Sequence, residues 1–295
     1  MNVIVCGNIN TDIIMEVSGF PGFHEKVIAD SYYSGQGGAG ANTCWWLAKL
    51  GSTVSMLGCI GDDGQGKGAL RSLANAGADT SRVALCDKAT GTAVVISSGQ
   101  DKRMVKHPGA NDALSVDAAS LEGAGHIHMT SVSRDNADVI CEYARANSVT
   151  LSWDPSEKMY PDLVGQAGYL FVNEDDYKRH KGMLERARPA HIIKTLNGGG
   201  CVIDESIRIP SLGRTARDTT GAGDAFAAGF VYSVVCGREL DECGVCGMVC
   251  AAANIRALGS REGFDTKDEI KKEVEAALRG LRASSRCTCR SPRYA

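Results

Sequence analysis

Apolar residues in this chain come in short runs separated by amphipathic stretches. NVIVCG (2–7) is such a run closed by a glycine, the pattern of a buried strand. Helical periodicity follows over 40–50, TVSMLGCIG (53–61) reads as the next strand, and 64–77 reads as a helix. HIHMT (126–130), VTLSWD (149–154), GYLFVN (168–173) and AHIIKT (190–195) read as further core strands. Helical segments such as DNADVICEYAR (135–145) lie between most of them. This alternation predicts an α/β fold, doubly wound: a central, mostly parallel sheet flanked by helices on both faces.

Two regions break the rhythm. KVIADSYYS (26–34) is a strand pattern with no helix before it. TAVVISSGQDKRMVKH (92–107) reads as a hairpin turning at Ser98-Gly99-Gln100-Asp101. Short β segments outside an α/β rhythm suit a flap over a site, so both are assigned to a small β lid inserted in one domain spanning 1–285. Towards the end, 221–236 and 239–258 read as consecutive helices and 267–283 as an amphipathic helix. Residues 286–295 are expected to be a flexible tail.

Composition narrows the function classes. At 295 residues with 43% apolar residues, the chain can bury a sizeable core unaided. A formal net charge of −3 gives no basic field for nucleic acid, and no apolar run approaches a membrane span. The start, MNVIVCGNINTD, lacks a signal-peptide pattern. The 12 cysteines are scattered through predicted strands and helices, as reduced thiols of a cytoplasmic protein would be.

Three glycine-rich stretches could hold a ligand. SGQGGAGANTCWW (34–46) contains Gly35, Gly37 and Gly40, a formal G-x-G-x-x-G, with Asp62 as an acid further on. It follows the irregular β segment instead of the first core strand, which counts against a dinucleotide site. Gly61 to Gly68 fits G-x-x-x-x-G-K, but Gly68 stands where a Walker loop needs Ser or Thr for Mg²⁺, and two acids sit inside it. The third stretch, DTTGAGDAFAAGF (218–230), carries more chemistry. Gly221, Ala222 and Gly223 precede a strong helix pattern and expose amides to an anion. Asp224 stands in the first turn beside them, where the helix dipole favours its ionised form. An anion hole with a carboxylate beside it suits phosphoryl transfer to a hydroxyl.

The chain resembles the ribokinase, or PfkB, family of carbohydrate kinases over nearly its whole length. The matching pieces run in family order: GNINTD (7–12), GGAGANT (37–43), PGAND (108–112), VNEDD (172–176), IKTLNGGG (193–200) and DTTGAGD (218–224). The resemblance implies an ATP-dependent kinase acting on a sugar or nucleoside hydroxyl, with the odd β segments as its lid. By that resemblance Asp224 is the catalytic base, and Gly221, Ala222 and Gly223 form the anion hole. Asn10, Asp12, Gly37, Gly38 and Asn42 would hold the sugar. Read alone, Asp12 fits an N-cap or turn acid better than a ligand. Asn173 and Asp176 would organise Mg²⁺ and its waters; the family usually has Glu where Asp176 stands, so either Asp176 acts through an extra water or Glu174 or Asp175 contributes. Thr195, Gly198 and Gly200 would line the nucleotide, with Asn197 replacing a frequent glycine. Asp218 and Thr220 match half of a monovalent-cation site, for which potassium is the candidate. Family lids often pair between subunits, so a homodimer through the lid is a further expectation.

The acceptor is less defined. Arg103, Lys106 and His107 lie on the second lid strand, Arg103 and His107 on one face and Lys106 on the other. A cation facing the site, with Arg103 the candidate, would suit a phosphorylated sugar; solvated edge charges are the plain alternative. Tyr32 and Tyr33 could stack on a nucleoside base or pack the lid. Cys243, Cys246 and Cys250 form one helical stripe, read as buried core and not as a metal site. His126 and His128 read as core histidines, and Trp45 and Trp46 as packing residues.

Overall fold

The computed structural model describes residues 1–99, 101–156, 158–263 and 266–288. Strand β1 (Asn2–Cys6) shows how the sequence builds the two layers. Its side chains alternate, so Val3 and Val5 join one buried cluster while Ile4 and Cys6 join the other. The first cluster receives α1 (Ala39–Leu50), α2 (Gly64–Ala76), α5 (Ala222–Val235), α6 (Leu240–Asn254) and α7 (Lys267–Thr288). The second receives α3 (Arg134–Ala146) and α4 (Glu174–Ala187).

Between them runs a nine-stranded sheet. From one edge it comprises β13 (Ile207–Pro210), β12 (Gly200–Ile203), β11 (His191–Thr195), β10 (Tyr169–Asn173), β9 (Thr150–Asp154), β8 (His126–Thr130), β1, β4 (Thr53–Gly61) and β5 (Val83–Cys86). The pairings from β11 to β5 are parallel, and β12 and β13 add antiparallel edge strands. A parallel sheet aligns the carboxyl ends of its strands on one rim, where open α/β sheets bind ligands.

The expected small sheet is present, with strands β3 (Ser31–Gly37), β2 (Asn10–Glu16), β6 (Gly91–Ser98) and β7 (Asp101–His107) in that order. It differs from the sequence reading in two ways. Its strand β3 starts at Ser31, and 26–30 is irregular. Strand β2 is also part of it, although Asn10 and Asp12 interrupt the hydrophobic alternation there; both are buried polar residues. The short strands β5, β12 and β13 likewise lie outside the strands predicted from the sequence. The tail expected at 286–295 lies outside the described residues from 289 on, and α7 reaches Thr288. Among the described residues no helix is long and apolar enough to cross a membrane.

The decoys resolve into structure. Gly35 and Gly37 pair with Asp12 and Asn10 across an antiparallel ladder, so no βαβ dinucleotide unit forms there. The Walker-like stretch is a helix entry in which Asp63 caps α2 through the Gly66 amide and also takes the Thr90 amide and hydroxyl. A carboxylate already occupies those donors. His126 and His128 both meet Ser152 Oγ, at 2.7 and 2.9 Å. Burial pushes them down to about 4 and about 3, so they are neutral core residues. Trp46 is fully buried and donates to the Ser260 carbonyl at 3.1 Å.

The cysteine stripe explains how α5 and α6 pack. A Cβ on Gly229 would come within 2.7 Å of both the Cys246 carbonyl oxygen and the Cys250 sulfur. The small residues of α5 therefore let α6 approach closely, with Cys243, Cys246 and Cys250 buried at the contact. Gly229→Val is expected to cost about 2 kcal/mol through overpacking. Urea unfolding will show this as a lower midpoint at unchanged slope. An unchanged midpoint would contradict the close packing.

Candidate active site

The amino end of α5 is the chemical centre. Gly221 caps it at φ 77 with no side-chain cap, and a Cβ there would run into Ser260. The left-handed backbone and the lack of room both require glycine. The Ala222 amide, expected in the anion hole, instead donates to the Thr219 carbonyl at 3.2 Å. Among the described residues the amides of Gly221, Gly223 and Asp224 have no protein acceptor. They and the helix dipole form a site for negative charge.

Asp224 is fixed from the side. Asn42 Nδ2 donates to Asp224 Oδ2 at 2.8 Å, and Arg261 Nε donates to Asn42 Oδ1 at 2.9 Å. Arg261 also donates to Ser72 Oγ and to the Gly37 carbonyl, both at 3.2 Å. One buried guanidinium thus ties β3, α1 and α2 to the acid on α5. Asn42, expected among the sugar ligands, is 2% exposed, and its amide orients Asp224. Gly37 contributes a carbonyl to the same network, and Gly38 is the residue from which α1 starts.

The electrostatics differ from the dipole argument. Burial lifts Asp224 to about 6, the Asp12 charge adds to the rise, and Asn42 and Arg261 oppose it. Desolvation is the largest influence, and it raises Asp224 where the dipole alone would favour the ionised form. Burial likewise lifts Asp12 to about 6, with Arg261 opposing. Burial lowers Arg261 to about 10, against the pull of Asp12 and Asp224, so it stays charged at neutral pH.

Two cavities flank this network and share Ser156 as a wall. One, about 260 Å³, is lined by Asn10, Lys106, His107, Asn111, Asn136 and Lys158 among others. Asn111, from the PGAND segment, holds the floor: its Oδ1 accepts from the Ile9 amide at 2.8 Å and its Nδ2 donates to Asn10 Oδ1 at 2.8 Å. Arg103, the expected cation, is not brought here; its guanidinium lies 4.2 Å from the centre of the Phe20 ring. Ladder register puts Lys106 opposite Ala93, itself opposite Asp12, and Lys102 opposite Ser97 on the same face. The alternation of β7 holds, and the inward face is that of Lys106 and Lys102.

The second cavity, about 470 Å³, joins Asp154, Asn173, Asp176, Arg179, Thr195, Gly223 and Asp224. Asn173 caps α4 by accepting from the Asp176 amide at 2.8 Å, and its Nδ2 donates to Asp176 Oδ2 at 2.6 Å. Glu174 turns aside to pair with Lys178. Gly198 stays in the turn beyond β11, whereas Gly200 opens β12, where a Cβ would strike β13, so its glycine serves strand packing. Burial, reinforced by the charge of Asp224, lifts Asp154 to about 7. Three acids face this cavity with one cation, Arg179, which donates to Asp176 Oδ1 at 2.7 Å; the excess negative charge fits a cation there, although no cage of three or more ligating side chains exists among the described residues. That pattern suits Mg²⁺, which keeps waters and takes few protein ligands. Asp218, 6% exposed, lies before the anion-hole turn and accepts from Lys102 Nζ at 2.8 Å.

Arg261 and Asp154 were missed from sequence. Asp154 had a signal, an acid ending an apolar strand on the ligand-binding rim. Arg261 had none beyond a charged loop between helices.

Comparison with known proteins bears on this arrangement. The pfkB family carbohydrate kinase model matches residues 1–267. An ATP-dependent ribose-1-phosphate kinase of Halopiger xanaduensis is 28% identical over 85% of this chain and 92% of its own. A ribokinase of Bacillus subtilis is 25% identical over 92% of this chain and 98% of its own. The crystal structure of Methanocaldococcus jannaschii nucleoside kinase has a TM-score of 0.81 at 24% identity, covering 93% of this chain and 98% of its own. That likeness speaks for the fold; the family match runs from the first strand through the Asp224 helix and the Arg261 loop. On that evidence the chain belongs to the pfkB family of carbohydrate kinases.

Proposed function

We propose that this protein transfers the γ-phosphate of ATP to a hydroxyl of a sugar that already carries an anionic group, a phosphorylated pentose. The observation that carries the transfer chemistry is Asp224 beside the open amides of α5, on the wall of the acidic cavity. ATP occupies that cavity, near Thr195 and Asn173. Asp154 and Asp176 are the groups that would hold Mg²⁺, directly or through water. Bound there, the ion neutralises phosphate charge.

The chain's own residues do the rest. Arg261 and Asn42 keep Asp224 turned toward the acceptor hydroxyl. Asp224 accepts the hydroxyl proton as the oxygen attacks the γ-phosphorus in line, and the bond to the β–γ bridging oxygen breaks to release ADP. The amides of Gly221, Gly223 and Asp224 hold the charge on the moving phosphoryl group without reorganising. Asn10 and Asp12 orient the sugar from β2, and the small sheet excludes water, the competing acceptor.

The acceptor class rests on the first cavity. Lys106 and Lys158 border, with Asp112, a space of about 260 Å³ beside Asn10. Cations around a polar cavity suit a phosphate substituent. The Halopiger relative, named for ribose 1-phosphate, points the same way.

Asp224→Asn is expected to lower kcat by about 10³-fold, the usual scale of a lost general base, while ATP and acceptor still bind. Single-turnover rates and calorimetric binding check both halves; near-normal turnover would overturn the mechanism.

The pH dependence follows from burial. Asp224 must be ionised to act, and its pKa is raised to about 6, so activity falls as pH drops through about 6. The acid limb of kcat/KM is expected there, as a joint property of Asp224 and its acidic neighbours. Asp12→Asn removes a negative neighbour and is expected to shift the limb to lower pH. A wild-type limb near 4 would contradict the electrostatic reading.

A coupled ATPase screen with ribose, ribose 1-phosphate and inosine tests the acceptor. The phosphorylated sugar is expected to exceed the others by about 100-fold in kcat/KM, the worth of two charge-assisted contacts. Preference for ribose or inosine would overturn the acceptor class and leave the transfer chemistry standing.

A further inference from the structure

The loop before the anion hole holds a buried carboxylate whose bonding is complete. Asp218 Oδ1 accepts from the Thr220 amide at 3.0 Å, from Thr220 Oγ1 at 2.8 Å and from Lys102 Nζ at 2.8 Å. Its Oδ2 accepts from the Gly259 amide at 3.0 Å. The Thr220 carbonyl accepts from Asn254 Nδ2 at 2.8 Å, and Asn254 is fully buried. Burial pushes the Asp218 carboxyl up, yet these donors, Lys102 foremost, hold it below the usual carboxylate range.

Asp218 and Thr220 are the residues for which the sequence suggested a monovalent cation. They do not fit a free ion. Both Asp218 oxygens and the Thr220 carbonyl already have donors, and a unit positive charge is already seated. That charge is an ammonium, similar to K⁺ in charge and compactness. It also reaches Thr219 Oγ1 at 3.1 Å, in the turn that leads to Gly221. Lys102 comes from β7, so the charge belongs to the small sheet while its target belongs to the anion-hole loop.

We infer that Lys102 is a built-in monovalent cation. Its ammonium, docked on Asp218 and Thr219, holds the turn that aims the Gly221 and Gly223 amides, and so the protein needs no alkali ion for transfer. Lys102 is a positioning residue, touching neither ATP nor acceptor. The inference rests on the kinase reading for its kinetic consequence alone; the replaced ion is a matter of binding.

The test compares wild type, Lys102→Met and Lys102→Arg in K⁺ and in tetramethylammonium at equal ionic strength. The Lys102 side chain is 36% exposed, so its truncation opens no core cavity. Wild-type rates are expected to agree within about twofold in the two salts, with no K⁺-specific rise in Tm. Lys102→Met is expected to lose about tenfold or more in tetramethylammonium, a scale set by disturbed anion-hole donors, and to recover with K⁺ or ammonium. Its Tm is expected to rise with K⁺ concentration, as binding to the vacated carboxylate requires. Lys102→Arg, keeping the charge, is expected to stay insensitive to K⁺. Strong stimulation of wild type by K⁺ would overturn the inference, as would a Lys102→Met protein whose rate and Tm ignore K⁺. Wild type inactive on every acceptor would instead remove the kinase reading, and the Tm comparison would still decide the inference.

Discussion

The site depends on one buried cation. Arg261 is 6% exposed, and removing a guanidinium from water costs several kcal/mol unless it is paired and fully hydrogen-bonded. Here its donors meet Asn42, Ser72 and the Gly37 carbonyl, and its charge faces Asp12 and Asp224. The dependence is mutual. Two buried acids near each other resist joint ionisation, and Arg261, seconded by Lys106, opposes their rise. Elements far apart in sequence therefore converge on a single group: β3 from the small sheet, α1 and α2 from one helical layer, and α5 with its anion hole.

Around that cation the cleft divides by charge. The acidic cavity beside α5 suits a polyphosphate that brings its own metal, and the basic-lined cavity beside Asn10 suits an anionic acceptor. The two meet at Ser156, and Asp224 lines the acidic one, where a proton must leave the hydroxyl as the phosphoryl group arrives. The fold supplies the junction: β9, β10 and β11 end on one rim of the parallel sheet, and α5 begins above it. The small sheet contributes from the other side, with Asp12 on β2 and Lys102 and Lys106 on the inward face of β7.

Much of the framework was legible in the chain because burial on both faces writes continuous apolar runs, as in β1, β8 and β10. DTTGAGD was legible because helix entry needs glycine and an anion site needs bare amides. What escaped was polar for functional reasons. Strand β2 hid because Asn10 and Asp12 face the cleft and break the alternation. Alternation gave the two faces of β7 but could not say which one is inward; the ladder with β6 decides that, and it selects Lys106 over Arg103. The α5 dipole alone argues for an ionised Asp224; the rise to about 6 comes from desolvation, which needs three-dimensional burial to be seen. Arg261 sits in an irregular loop, and its meaning exists only through contacts some 220 residues away in sequence.

The most direct test is to titrate the Asp224 carboxyl itself. With ¹³C-labelled aspartate, and Asp224→Asn to assign the signal, its midpoint can be followed in wild type and in Arg261→Met. Wild type should titrate near 6, and loss of the guanidinium should move the midpoint upward. A wild-type midpoint near the ordinary 3.8, or one unmoved by Arg261→Met, would contradict the claim that a buried cation sets the state of the base.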